Sequence, residues 1–236
     1  MIDAELRSIL SDRLAAVRER IAAACRRAGR DPADVALVAV TKTVSARVAA
    51  VVAELGTPDL GEGRPQELWK KAESLPAARW HLVGHLQRNK IERTIPLVSL
   101  VHSVDSERLL DALAAFGRTR GAPVPVLLEV NCSREENKGG FRPEDVPALG
   151  DKLLSLAGAA VLGLMTMASH FADPQACRPA FTELRDLRDR LRAATGLPLP
   201  HLSMGMSNDF EVAVEEGATH VRVGTTLFEG LGEPGA

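Results

Sequence analysis

Lys42 closes an otherwise apolar run, "LVAVTK" (37–42), where a side chain bearing an ammonium group has little reason to be. A lysine at a strand end can simply reach past it to water. It can also react: a desolvated lysine has a lowered pKa and condenses with an aldehyde to form a Schiff base. Two further segments have complementary chemistry. "SMGMSND" (203–209) places Ser207, Asn208 and Asp209 together, all residue types that cap helices, so its turn should present free backbone N–H groups. "RVGTT" (222–226) adds a second turn at Gly224, where Thr225 and Thr226 supply hydroxyl donors. Each turn alone reads equally well as a helix cap or a change of chain direction. Together they suit a phosphate dianion.

Whether lysine and turns can meet depends on the elements that carry them. Eight short apolar runs recur along the chain, at 36–42, 58–63, 79–84, 100–105, 124–131, 160–168, 200–206 and 220–225, with helix-periodic stretches between them. Strands apolar on both faces and separated by helices imply a parallel sheet covered on each side. Eight such units close into a (β/α)8 TIM barrel of about 250 residues. An open doubly wound sheet is the competing architecture, but no strand is followed by the G-x-G-x-x-G turn it would carry. Residues 5–28 form an additional N-terminal amphipathic helix, with Leu6, Ile9, Leu10, Leu14, Val17, Ile21 and Cys25 at spacings of three and four. The expectation is one domain over residues 1–236, with the barrel spanning about 36–230. In such barrels reactive groups sit at the carboxyl ends of strands, and phosphate is held after strands 7 and 8. Lys42 and both turns fall at those places. A lysine facing a phosphate cup points to pyridoxal phosphate; a Schiff-base aldolase acting on a sugar phosphate would use the same parts.

Composition narrows the partners. Twenty-nine Lys and Arg nearly balance 31 Asp and Glu, for a net charge of −2, and no basic cluster is interleaved with aromatics, which argues against nucleic acid. Apolar runs are strand-sized, well short of the roughly 20 residues that span a bilayer, and acids are scattered through the first residues, so no membrane partner and a cytoplasmic location are expected. Three cysteines at wide spacing suggest neither a disulfide framework nor a zinc site.

The segments "LVAVTKT", "LGEGRPQEL", "WHLVGHLQRNK", "VHSVD", "LLEVN" with "ENKGGF", "GLMTM" and "HLSMGMSNDFEVAVEEGATHVRVGTTLF" together resemble the pyridoxal-phosphate homeostasis proteins, single-domain relatives of the alanine racemase N-terminal barrel. The resemblance runs in order over nearly the whole chain. It implies that Lys42 carries pyridoxal 5'-phosphate as an internal aldimine, that Ser207, Gly224 and Thr225, with Met206 adjoining, form the phosphate cup, and that Arg222 partners the pyridine nitrogen. It further implies a monomer that buffers the cofactor or delivers it to apo-enzymes. One departure stands out: Gly63, in "GEG", replaces an asparagine common in the family. An arginine at the ring nitrogen keeps its proton and leaves that nitrogen unprotonated, so the ring is a poor electron sink.

A pyridoxal-phosphate-dependent amino-acid racemase is the alternative. Alanine racemases resembling this barrel use a tyrosine from a second domain as the opposite-face acid/base, whereas this sequence has no tyrosine and ends soon after the eighth strand. His201 and His170 are the candidates to replace it, since imidazole exchanges protons near neutral pH. Glu129, ending the fifth strand, is a further candidate acid/base or a buried carboxylate. His81 and His85 have metal-ligand spacing but straddle a strand end without an acidic or cysteine partner, which argues against a metal. "ENKGG" (136–140) reads as a nest-like turn leaving the fifth strand.

Overall fold

The computed structural model describes residues 3–135, 138–169 and 173–232. Eight parallel strands close into a barrel in simple sequence order: β1 (Ala36–Val40), β2 (Asp59–Glu62), β3 (Arg79–Leu82), β4 (Leu100–Val104), β5 (Val124–Glu129), β6 (Ala159–Met165), β7 (His201–Ser203) and β8 (His220–Val223). Closure is made by β8 pairing β1, with Ala36 opposite His220 and Ala39 opposite Val223. The intervening helices are α2 (Ala46–Glu54), α3 (Pro65–Ser74), α4 (Ile91–Thr94), α5 (Glu107–Arg120), α6 (Gly150–Ser155), α7 (Arg178–Thr195) and α8 (Phe210–Glu215), followed by a short α9 (Thr225–Phe228). Local chemistry sets their ends. Ser45 and Ser106 cap α2 and α5 by accepting from Val48 N and Leu109 N, and left-handed Gly121 and Gly196 stop α5 and α7.

The first helix, α1 (Asp3–Ala28), buries Leu6, Leu10, Leu14, Val17, Ile21 and Cys25 along one face. That stripe lies on α2, α8 and α9. Arg20 binds both carboxylate oxygens of Glu211 and stacks on Phe210, 4.4 Å from the ring centre. Each fully buried Leu or Val of the stripe contributes roughly 1.5–3 kcal/mol, and the stripe packs α1 onto the seam where β8 meets β1.

Strand side chains alternate between two environments. Leu60, Leu82, Val101, Leu128, Leu164, Leu202, Val221 and Val223 belong to the large core between sheet and helices. The intervening positions face the lumen. There Leu100, Leu127 and Met165 form a small separate apolar cluster, while His81, His102, Ser203, His220 and Arg222 are buried polar side chains on the same alternate face. Strands with apolar runs thus conceal a polar interior.

Candidate functional site at the carboxyl end of the barrel

A cavity of about 480 Å³ opens where β1, β2, β3, β6, β7 and β8 end. Lys42 lies two residues beyond β1 and lines it. The side chain is exposed rather than desolvated, because the strand ends at Val40 and the loop carries Lys42 out to the mouth. The loop is nevertheless held firmly: Thr41 N donates to Gly61 O at 2.9 Å, and Lys71 Nζ donates to Thr41 O at 2.7 Å. Lys71 also pairs with the carboxylate of Glu62, which further accepts from Thr41 Oγ1 (3.2 Å) and Gly63 N (3.1 Å). A buried ion pair therefore sits directly behind Lys42.

The turns after β7 and β8 form the wall that Lys42 shares. Gly205, with φ +90°, lies flat on α8: a Cβ there would come within 2.6 Å of Ala213 Cβ and 2.8 Å of Phe210 Cα. Asp209 turns back to accept from Met206 N at 2.6 Å instead of capping α8 forward. Ser207 Oγ accepts from Thr226 N at 3.3 Å, tying the two turns together. Among the described residues the N–H groups of Ser207, Asn208 and Thr225 find no acceptor. All three residues line the cavity, as do Met206 and Gly224. Unpaired N–H groups on converging turns fit an anionic headgroup.

Arg222 reaches the same cavity from inside the barrel. It is 4 % exposed, and its guanidinium donates to Ser203 Oγ at 2.5 Å and to the Thr166 carbonyl at 2.9 Å. Burial lowers its pKa to about 10, opposed by the charges of Asp209 and Glu129, so it remains a cation at neutral pH. Glu129 is buried at the end of β5, where desolvation and then the charge of Asp105 raise its pKa.

The structure thus brings Lys42, Met206, Ser207, Arg222, Gly224 and Thr225 to one cavity, together with Gly63. Of the two histidines proposed as racemase bases, His201 alone is among the described residues. His201 begins β7, packs 4.7 Å from the ring of His220 and does not line the cavity. His170, with Glu136 and Asn137 of "ENKGG", lies outside the described residues. His81 and His85 diverge, the first into the lumen toward His102 and the second to Asp105 at 2.8 Å. Sequence reading missed Glu62, Lys71, His102, Ser203 and Thr166. For His102 and Ser203 the one legible signal is a polar residue on the alternate face of a buried strand, as in "LVHSV"; Lys71, on α3, and Thr166, beyond β6, carry no such signal.

Residues 13–231 match the family described as alanine racemase, N-terminal domain. The chain belongs to the pyridoxal phosphate homeostasis protein family. It is 44% identical over 219 residues to the pyridoxal phosphate homeostasis protein of Aquifex aeolicus, covering 92% of this chain and 96% of that protein. It superposes on an unknown protein from Bifidobacterium adolescentis with a TM-score of 0.89 and 39% identity, covering 97% and 98% of the two chains. PipY of Synechococcus elongatus PCC7942, with PLP bound, matches with a TM-score of 0.81 and 32% identity over 93% of this chain and 99% of that one.

Proposed function

We propose that this chain binds pyridoxal 5'-phosphate as a reversible Schiff base on Lys42 and buffers or delivers it, acting in pyridoxal phosphate homeostasis. The observation that carries the reading is the single cavity shared by Lys42, Arg222 and the turns of Ser207, Gly224 and Thr225. It fits the group's chemistry at three points: an amine for the aldehyde, unpaired N–H groups for the phosphate and a permanent cation for the ring nitrogen. Bound, the cofactor supplies an aldehyde that exchanges reversibly among amines. The chain's own residues determine what becomes of it. Ser207 and Thr225 orient the phosphate, Met206 and Val40 exclude water from one side, and the exposed Lys42 keeps the linkage open to incoming amines. Release to an apo-enzyme needs that openness.

Arg222 at the cavity and the absence of tyrosine from the sequence favour holding over catalysis. The same reading takes the chain as one barrel domain, a monomer, located in the cytoplasm. The deciding experiment is the absorption spectrum of the purified protein with pyridoxal phosphate, before and after borohydride, with peptide mapping of the adduct. The expected adduct is on Lys42 and is lost in Lys42→Ala. An adduct that persists in Lys42→Ala overturns the assignment. Appearance of solvent deuterium at Cα of an amino acid at a catalytic rate favours the racemase instead.

A further inference from the structure

Below Arg222 the polar lumen residues form a continuous line across the barrel. Arg222 Nη1 lies 2.5 Å from Ser203 Oγ. Ser203 Oγ is 2.8 Å from His102 Nδ1, His102 Nε2 is 2.9 Å from His81 Nδ1, and His81 Nε2 is 3.0 Å from Asp59 Oδ1. Asp59 is the first residue of β2, at the opposite end of the barrel from the cavity, and Arg79 binds both its oxygens at 2.7 and 2.6 Å. His102 and Ser203 are 0 % and His81 is 4 % exposed, so water does not replace any internal link.

Donor chemistry gives this line a direction. Guanidinium only donates, so Ser203 Oγ accepts from Arg222. The Ser203 hydroxyl hydrogen then needs an acceptor, and among the described residues its only other partner is His102 Nδ1. His102 must therefore be unprotonated at Nδ1 and carry its hydrogen on Nε2. His81 Nδ1 then accepts from that hydrogen, and His81 Nε2–H donates to the carboxylate of Asp59. Reversing any link would leave the Ser203 hydroxyl a buried donor without a partner, at the full cost of its desolvation. The other groups around the rings agree with a neutral His102: burial, followed by the charges of His81, His220, Arg222 and His201, pushes its pKa well down. Asp59 stays ionised, since its bonds to Arg79 and His81 outweigh the opposing effect of burial.

We propose that Asp59, His81, His102 and Ser203 are positioning residues that form a one-way hydrogen-bond chain, holding Arg222 in the cavity and coupling its charge to a carboxylate at the far rim of the barrel. Every dipole along the chain points its negative end at Arg222, so the buried guanidinium is stabilised without an ion pair beside it. What Arg222 then offers the cavity is N–H alone, in a fixed place. The effect on a ring nitrogen rests on the pyridoxal phosphate reading; the chain itself does not.

Two measurements separate the ideas. Long-range 1H–15N spectra of the histidine rings, recorded on protein free of pyridoxal phosphate at pH 7.5, should show His81 and His102 as neutral Nε2–H tautomers. A ring protonated on Nδ1, or an imidazolium at His102, overturns the chain whatever the cofactor does. Ser203→Ala should weaken pyridoxal phosphate binding by about tenfold, as loss of an outer partner does, shift the absorption maximum of the bound form, and release His102 to a mixture of tautomers. Ser203→Thr, which keeps the hydroxyl, should restore the band position and the tautomer. Ser203→Ala that folds, with unchanged affinity, band and tautomer, also overturns the proposal. If the wild-type protein takes up no pyridoxal phosphate, the functional reading fails alone, and the ring spectra still decide the chain.

Discussion

The ion pair behind Lys42 is the most exposed point of this structure to experiment. Glu62 and Lys71 side chains are 0 % and 8 % exposed. Among the described residues Lys71 supplies the only charged donor to Glu62, the other donors being Thr41 Oγ1 and Gly63 N. Replacing Lys71 by Met keeps the stem but leaves a buried carboxylate with two neutral partners and the Thr41 carbonyl without its ammonium donor. Removal of one member of such a pair costs about 3–5 kcal/mol, because the remaining charge is uncompensated. Against the total of roughly 5–15 kcal/mol that stabilises an ordinary domain, that is a large fraction. Urea unfolding at pH 7 should therefore show a strongly lowered midpoint for Lys71→Met. In the Glu62→Gln/Lys71→Met double variant the loss should fall well short of the sum of the singles, since no unpaired charge remains. Thr41 precedes Lys42 directly, so Lys71→Met should also slow borohydride trapping at Lys42 in the fraction that stays folded. Single-variant losses below about 1 kcal/mol, or singles that add within about 0.5 kcal/mol, would refute the reasoning.

The histidine cluster predicts a characteristic acid response. Burial first, then His201 and His81, lowers the pKa of His220 to about 3, and burial likewise pushes that of His102 well below its ordinary range. Unfolding lets both rings bind protons below the unfolded value of about 6.5, so stability is full above that pH and falls as pH drops toward the folded values. The slope approaches about 1.4 kcal/mol per pH unit for each ring; Asp59, whose folded pKa is depressed, adds its loss only below about pH 4. Denaturation curves that do not change between pH 7 and 5 would contradict the burial of these rings. Two neighbouring glycines should behave oppositely. A Cβ at Gly63 meets nothing within 4 Å, so Gly63→Asn should change stability by less than about 0.5 kcal/mol and tighten pyridoxal phosphate binding by equilibrium titration. A Cβ at Gly84 would lie 2.2 Å from Gly63 O, backbone against side chain, so Gly84→Ala should cost about 2–4 kcal/mol by thermal or urea unfolding.

Where the strands stop shows what was legible in the sequence and why. All eight runs expected from apolar patterning are strands, but most extend too far at the carboxyl end: 36–42 against Ala36–Val40, 160–168 against Ala159–Met165, and 200–206 against His201–Ser203. The overshoot has a physical origin. Loops that wall a cavity are themselves built from Met, Val and Thr with short polar residues, so Met167 and Met206 continue the apolar pattern beyond Thr166 and Met204, whose N–H groups still donate to Ser203 O and His220 O. Amphipathic periodicity placed α1 within two residues because its stripe alternates with charge throughout. Helix-like patterning failed between β3 and β4, where Pro96 stands directly after "LQRNKIERTI" and stops the helix from continuing, so that only the short α4 forms, flanked by 3-10 turns.

The candidate site divides along the same line. Lys42, Ser207, Gly224 and Thr225 could be picked out because a reactive or turn-forming type stands at a strand end, where local sequence and chemistry coincide. Glu62, Lys71, His102 and Ser203 could not, because each acquires its meaning from a partner on another strand or helix: Ser203 and His102 are 101 positions apart and meet only across the lumen. A histidine in "LVHSV" taken alone is an oddity in a buried strand. Beside Ser203 and Arg222 it is an acceptor, and the need for one comes from chemistry: a guanidinium placed inside a barrel must hand its hydrogen bonds to something, and Ser203, being neutral, must hand its own onward. The requirement passes from residue to residue until it reaches a group that only accepts, which is Asp59 at the far rim.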